Sequence, residues 1–189
     1  MRKLSVFMHV SLDGFVQGPD DWDLNWITYD EELEKYSKEI LSSVDTVLWG
    51  RQTYLGMQQY WNSVPGNLES SQHEIEHASW LERTLKVVFS TTLDQAEWAN
   101  SQLVKENVRE EIVRLKEQPG NDLIIIGSPR FAHTVMELGL VDEYHLNINP
   151  VVLGEGVPLF TDNGLIKLKL TGNRLFDSGV VGLTYEKAE

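Results

Sequence analysis

The chain of 189 residues contains no cysteine, which removes disulfides, thiolate catalysis and cysteine-based zinc sites from consideration. It is also poor in positive charge. Sixteen Lys and Arg stand against 29 Asp and Glu, giving a net charge of −13 and a pI near 4.8. A surface of that sign repels phosphate backbones and argues against nucleic acid as a partner, so any bound anion must be held locally. Long hydrophobic runs are missing too: no stretch approaches the roughly 18 apolar residues of a membrane span. The N-terminal apolar run is interrupted by Ser5, His9 and Asp13, too soon for a signal peptide. No membrane association and, by default, a cytoplasmic location are expected.

What is present reads as an ordinary globular protein. Hydrophobic residues make up 41% and charged ones 24%, with apolar clusters along the whole length, so one domain over residues 1–189 is expected. Residues 3–10 are β-prone and end in the turn Ser11-Leu12-Asp13-Gly14. Thr28-x-x-Glu31 has the form of a capping box opening a helix to about Ser43. Strands are expected at 45–49, 86–90, 123–126 and 143–149, helices after Gly50 and at 69–84, 106–117 and 129–138, and two further strands near 165–171 and 180–186. The four aliphatics Leu123 to Ile126 suggest a central strand buried on both faces. Strands alternating with helices, followed by a strand-rich end, predict an α/β fold whose sheet is mainly parallel with antiparallel C-terminal edge strands.

Two segments share the form strand, small-residue turn, helix start: Val47-Leu48-Trp49-Gly50-Arg51-Gln52-Thr53 and Ile124-Ile125-Ile126-Gly127-Ser128-Pro129-Arg130. In a parallel sheet such turns lie at the carboxyl ends of strands, where helix N-termini offer free N–H groups to a phosphate. Each also carries an arginine, and a pyrophosphate needs two such cradles with charge to neutralise it. Any βα turn favours Gly and Ser, however, and neither segment matches Gly-x-Gly-x-x-Gly or the P-loop.

Ser11-Leu12-Asp13-Gly14, Gly50-Arg51-x-Thr53-Tyr54, Val88-Phe89-Ser90, Ile126-Gly127-Ser128 and the run from Asn149 to Phe160 together resemble the dihydrofolate-reductase superfamily. They are most similar to the small stand-alone relatives of the reductase domain of the bifunctional riboflavin-biosynthesis deaminase-reductase. The resemblance implies a three-layer α-β-α fold and an NADPH-dependent reductase of a small heterocycle, either ribosylaminopyrimidine-like or pteridine-like. It implies that Gly50, Arg51 and Thr53 bind the phosphates of NADPH, with Ser90 and Thr91 at the adenosine 2′-phosphate and Gly127, Ser128 and Arg130 at the pyrophosphate. Val16 would touch the nicotinamide. The nearest match to the first-helix carboxylate of dihydrofolate reductases is Asp30, the candidate catalytic residue, although an acid in the first turn of a helix also serves the helix dipole. Where the family usually has Gly-Gly after the central strand, Ser128-Pro129 stands here, and Pro fits a first helical turn. The family resemblance and the run Val151-Val152-Leu153 favour a homodimer.

Asp13 either faces the site or caps its turn. Trp26, Tyr54, Met57 and Trp61 either line an aromatic pocket for a planar substrate or belong to the core. His73-Glu74-Ile75-Glu76-His77 satisfies H-E-x-x-H, which on a helix places two histidines on one face as zinc ligands. The surrounding stretch is polar almost all round, which reads as a solvated surface helix with no metal. A rival to the reductase is a non-catalytic module of the same fold that binds a nucleotide or flavin.

Overall fold

In the computed structural model, which describes residues 1–161 and 164–188, the apolar strand runs form a mostly parallel sheet. β1 (Leu4–Ser11) is followed by a short β2 (Phe15–Gln17), α1 (Glu31–Leu41), β3 (Val44–Gly50) and α2 (Arg51–Ser63). A short 3₁₀ turn leads to α3 (Gln72–Arg83), then β4 (Leu85–Phe89), β5 (Ser101–Val104), α4 (Val108–Glu117), β6 (Asp122–Ile126) and α5 (Pro129–Glu137). β7 (Glu143–Asn149), β8 (Val157–Pro158), β9 (Leu168–Leu175) and β10 (Val181–Lys187) complete the described chain.

The sheet order is β5-β4-β3-β6-β1-β7-β10-β9. The first six strands pair in parallel, while β10 pairs antiparallel to both β7 and β9. β2 and β8 form a separate two-stranded antiparallel ribbon. The period of two along each strand divides the core. Val6, Leu48, Val87, Leu123 and Ile125 pack against Ile112 and Leu115 of α4 and Phe131, Ala132 and Val135 of α5. Phe7, Val47, Trp49, Val88 and Ile124 face the other way, toward Leu41, Tyr54 and Leu81 of α1, α2 and α3. Helices thus cover both faces, and the four aliphatics of β6 sit mid-sheet as expected.

One expectation is corrected, and a capping box at another helix and three short strands are added to the reading. The Thr28 capping box does not form: α1 begins at Glu31, and the Asp30 carboxylate accepts from Leu33 N at 2.8 Å. The Thr28 N–H instead donates to Asn149 Oδ1 at 2.9 Å, which ties the preceding loop to the end of β7. The capping box that does form joins Ser71 and Glu74 at the start of α3. The edge strand β5 and the β2/β8 ribbon escape the sequence pattern because strands of two to four residues carry too little periodicity to register.

Candidate functional site

β3 and β6 are parallel neighbours, so the helices that leave their carboxyl ends start side by side. α2 is entered through Gly50 in extended conformation, with no side chain capping it, and α5 through Gly127 and Ser128, both left-handed at φ 60° and 53°. No side chain caps α5 either, so the first-turn N–H groups of both helices are open to an acceptor. The Gly50 N–H donates to Ser128 Oγ at 3.0 Å and locks the two turns together. A Cβ at Gly50 would lie 3.3 Å from that of Phe131, which gives the glycine a packing reason. Arg51 Nη1 donates to Thr92 Oγ1 at 3.1 Å, and Arg130 Nη1 reaches Gln52 Oε1 at 3.5 Å. Both arginines are exposed on the rim.

These turns open into a cleft of about 1340 Å³ whose lining includes Val16, Gly50, Arg51, Thr53, Met57, Trp61, Gly127, Ser128 and Arg130. The structure therefore gathers most of the residues singled out for the cofactor, together with Met57 and one of the three candidate aromatics, Trp61. Val16 is buried on the β2 ribbon, beside Val157 of β8 in the same wall. Trp61 donates through Nε1 to Met57 Sδ at 3.3 Å.

Other candidates do different work. Ser90 turns the chain after β4, its Oγ accepting from Thr92 N and Leu93 N at 3.2 and 3.0 Å. Thr91 is exposed in that turn, and neither residue lines the cleft. The turn does reach the rim through the Arg51–Thr92 contact. Tyr54 is fully buried: its hydroxyl accepts from Trp98 N at 2.8 Å and donates to Ser101 Oγ at 3.3 Å. Trp26 donates to Asp23 O at 3.1 Å and lies outside the cleft wall. Asp13 accepts from Ser11 Oγ, Leu153 N and Gly154 N at 2.7, 3.1 and 2.7 Å. The Ser11 hydrogen bond, seconded by those two backbone N–H groups, lowers its carboxyl to about 2. Asp13 thus fastens the end of β1 to the 150–156 loop. Asp30 is absent from the lining, and the Ser178 hydroxyl and the Leu33 N–H hold its carboxyl below the ordinary value.

Several wall residues were not anticipated. Along α1, Glu34, Ser37 and Leu41 face the cleft, the i, i+3, i+7 stripe of a helix. Asp30, one turn earlier, is taken up by the cap. Glu34 Oε2 lies 3.8 Å from His73 Nδ1. α3 is solvated on one face only: Glu76, Ser79, Glu82 and Arg83 are exposed, whereas Ala78 and Leu81 are buried and His73, Glu74 and His77 line the cleft. The His77 ring packs between Trp61 and Trp80 at centroid distances of 4.4 and 5.4 Å, and burial lowers its pKa to about 4. Among the described residues no cluster of three or more His, Asp or Glu is arranged to hold a metal ion. Trp22 adopts φ 63°, which costs about 1–2 kcal/mol for an L-residue, and its indole lies over Gly56, where a Cβ would collide with the ring. A glycine inside a helix is the one sequence signal for that close approach.

His9 forms part of the cleft floor, between Phe7 and Tyr29 at ring distances of 5.8 and 5.2 Å. Its Nδ1 is buried without a hydrogen-bond partner among the described residues. Burial lowers its pKa to about 4, so the ring is neutral near pH 7.

Comparison with known proteins identifies the fold and the family. The chain is 36% identical over 185 residues to the uncharacterized protein YyaP of Bacillus subtilis (strain 168), covering 97% of this chain and 94% of the relative. Among solved structures it is similar to a dihydrofolate reductase from Enterococcus faecalis complexed with NADP(H), at TM-score 0.62 and 14% identity over 99% of this chain and 97% of that one. It is also similar to a diaminohydroxyphosphoribosylaminopyrimidine deaminase/5-amino-6-(5-phosphoribosylamino)uracil reductase from Thermotoga maritima, at TM-score 0.67 and 14% identity, covering 99% of this chain and 57% of that one. These likenesses place the fold among dihydrofolate-reductase-like α/β proteins. With residues 2–182 matching the RibD C-terminal domain, the chain belongs to the RibD C-terminal domain family.

Proposed function

We propose that the protein is an NADPH-dependent reductase that delivers hydride to a C=N or C=O carbon of a small planar heterocycle. The observation that carries this reading is the pair of uncapped helix N-termini, bound together by Gly50 N and Ser128 Oγ and flanked by Arg51 and Arg130. Two adjacent cradles with two guanidiniums suit the two phosphates of a dinucleotide. The cleft exceeds the roughly 300–1,000 Å³ of a pocket for one small ligand, which leaves room for a substrate beside a cofactor. The Enterococcus structure, solved with NADP(H) on the same fold, supports the choice of cofactor.

In this reading Gly50, Thr53, Gly127, Ser128 and Arg130 hold the pyrophosphate. Arg51, beside the Ser90–Thr92 turn, meets the 2′-phosphate, and Val16 packs on the nicotinamide. When bound, the cofactor supplies the hydride. The chain supplies the rest: Trp22, Met57 and Trp61 exclude water around the ring, and Glu34 fixes the ring edge and guides the proton there. A homodimer remains part of the proposal, supported by the exposed Val152 and by Leu170 and Leu175 on the edge strand β9.

Calorimetry tests the cofactor: NADPH should bind at least tenfold more tightly than NADH, because one charge-assisted contact to the 2′-phosphate is worth roughly 1.5–3 kcal/mol. Equal affinities would remove the Arg51 assignment. Absorbance of NADPH with a panel of pyrimidines and pterins tests the reaction, and tight binding with no substrate-dependent oxidation would leave a binding module.

A further inference from the structure

Resting on the reductase reading, we propose that the substrate end of the cleft takes a planar, amino-substituted ring that carries no phosphate. Charge is distributed unevenly along the lining. Among the described residues that line it, the guanidiniums are those of Arg51 and Arg130, the lining holds no lysine, and the other basic side chains are the imidazoles of His9, His73 and His77. Both arginines lie in the first turns of α2 and α5, where the cofactor phosphates would engage them. The α1 and α3 wall instead presents two carboxylates, Glu34 and Glu74. The net charge of −13 gives no compensation outside the cleft. A substrate phosphate would therefore lie either on arginines already in use or against carboxylates.

The polar groups left free define the ring. Glu74 is spent on Tyr60 Oη and Ser71 N, each at 2.7 Å, but keeps its charge. Among the described residues the ion-pair partner of Glu34 is the His73 imidazole, at 3.8 Å. An ionised carboxylate is an acceptor without donors, so it selects an exocyclic amine or ring N–H. The His9 ring adds a polar edge beneath the cleft floor, its Nδ1 buried without a partner among the described residues, which carries the cost of an unmade hydrogen bond unless a bound ring opens a way to it. Trp22, Tyr29 and Trp61 supply flat walls. The substrate named for the Thermotoga protein carries a phosphoribosyl group, and among the described residues the α1 and α3 wall offers that phosphate no lysine or arginine.

The test compares 5-amino-6-(5-phosphoribosylamino)uracil with its dephosphorylated riboside, titrated into the NADPH-saturated protein and read by quenching of the tryptophans in the cleft wall. The riboside should bind at least ~10-fold more tightly, and Glu34→Gln should weaken the riboside by about tenfold while narrowing the gap, as loss of one charged hydrogen bond predicts. Equal affinities, a preference for the phosphorylated compound or quenching by neither would overturn the proposal. NADPH binding is read separately, by energy transfer from tryptophan. If it fails, the reductase reading falls, while the two uracils are still compared on the unliganded protein.

Discussion

At the scale of single residues, the structure separates two carboxylates one helical turn apart. Asp30 spends its oxygens on the N-terminus of α1, where it accepts from Leu33 N. Glu34 faces the cleft. The two should respond differently to loss of charge. Asp30→Asn keeps an acceptable cap and is expected to leave the reductase rate within about twofold, with stability lowered by less than ~1 kcal/mol. Glu34→Gln is expected to lower the rate by roughly 10²–10⁴-fold, the range for lost acid–base help, with NADPH affinity and melting temperature preserved. Steady-state kinetics alongside thermal melts decide between them, and a full rate in the Glu34 variant would leave solvent as the source of the proton. Sequence alone could not separate the pair, since both carboxylates lie near the start of one helix. The difference arises only where the helix begins, and the Thr28–Asn149 hydrogen bond moves that point.

At the scale of elements, α2 shows a local preference yielding to packing. Gly56 lies inside the helix, where alanine is ordinarily better by about 1 kcal/mol. Here the Trp22 indole occupies the space a methyl group would need. Gly56→Ala is therefore expected to give no gain in melting temperature and to displace Trp22 from the cleft wall, weakening binding of a planar ring several-fold with little effect on NADPH. A melt about 1 kcal/mol more stable with unchanged ring binding would show that Trp22 moves aside freely. The same contest explains α3. Its composition is polar, yet the face with His73 and His77 turns inward because Trp61 and Trp80 flank the His77 ring. Periodicity counts hydrophobic residues and cannot see a neutral imidazole used as a flat apolar surface.

At the scale of the whole molecule, His9, His77 and His145 are all lowered by burial from 6.5 to about 4, with Lys3 adding to the effect at His145 and His73 at His77. The unfolded chain takes up protons near 6.5 that the folded protein refuses until about pH 4, so stability falls as pH drops through that window and is unaffected above it. Melting temperatures are expected to fall between pH 7 and pH 5, before the depressed carboxylates such as Asp13 titrate. His77→Phe, which keeps the stacked ring, should flatten that slope, and an unchanged slope would take His77 out of the account. The longer strand runs, the βα turns at Gly50 and Gly127, and the antiparallel C-terminal edge were legible in order along the chain, because backbone conformation and the burial period are local properties. Which carboxylate meets the cleft, that Trp22 rather than Trp26 walls it, and that the H-E-x-x-H helix turns inward depend on contacts between segments far apart in sequence. Such contacts are set when the sheet brings β1, β3 and β6 together and the helices settle on its faces, and no local pattern encodes them.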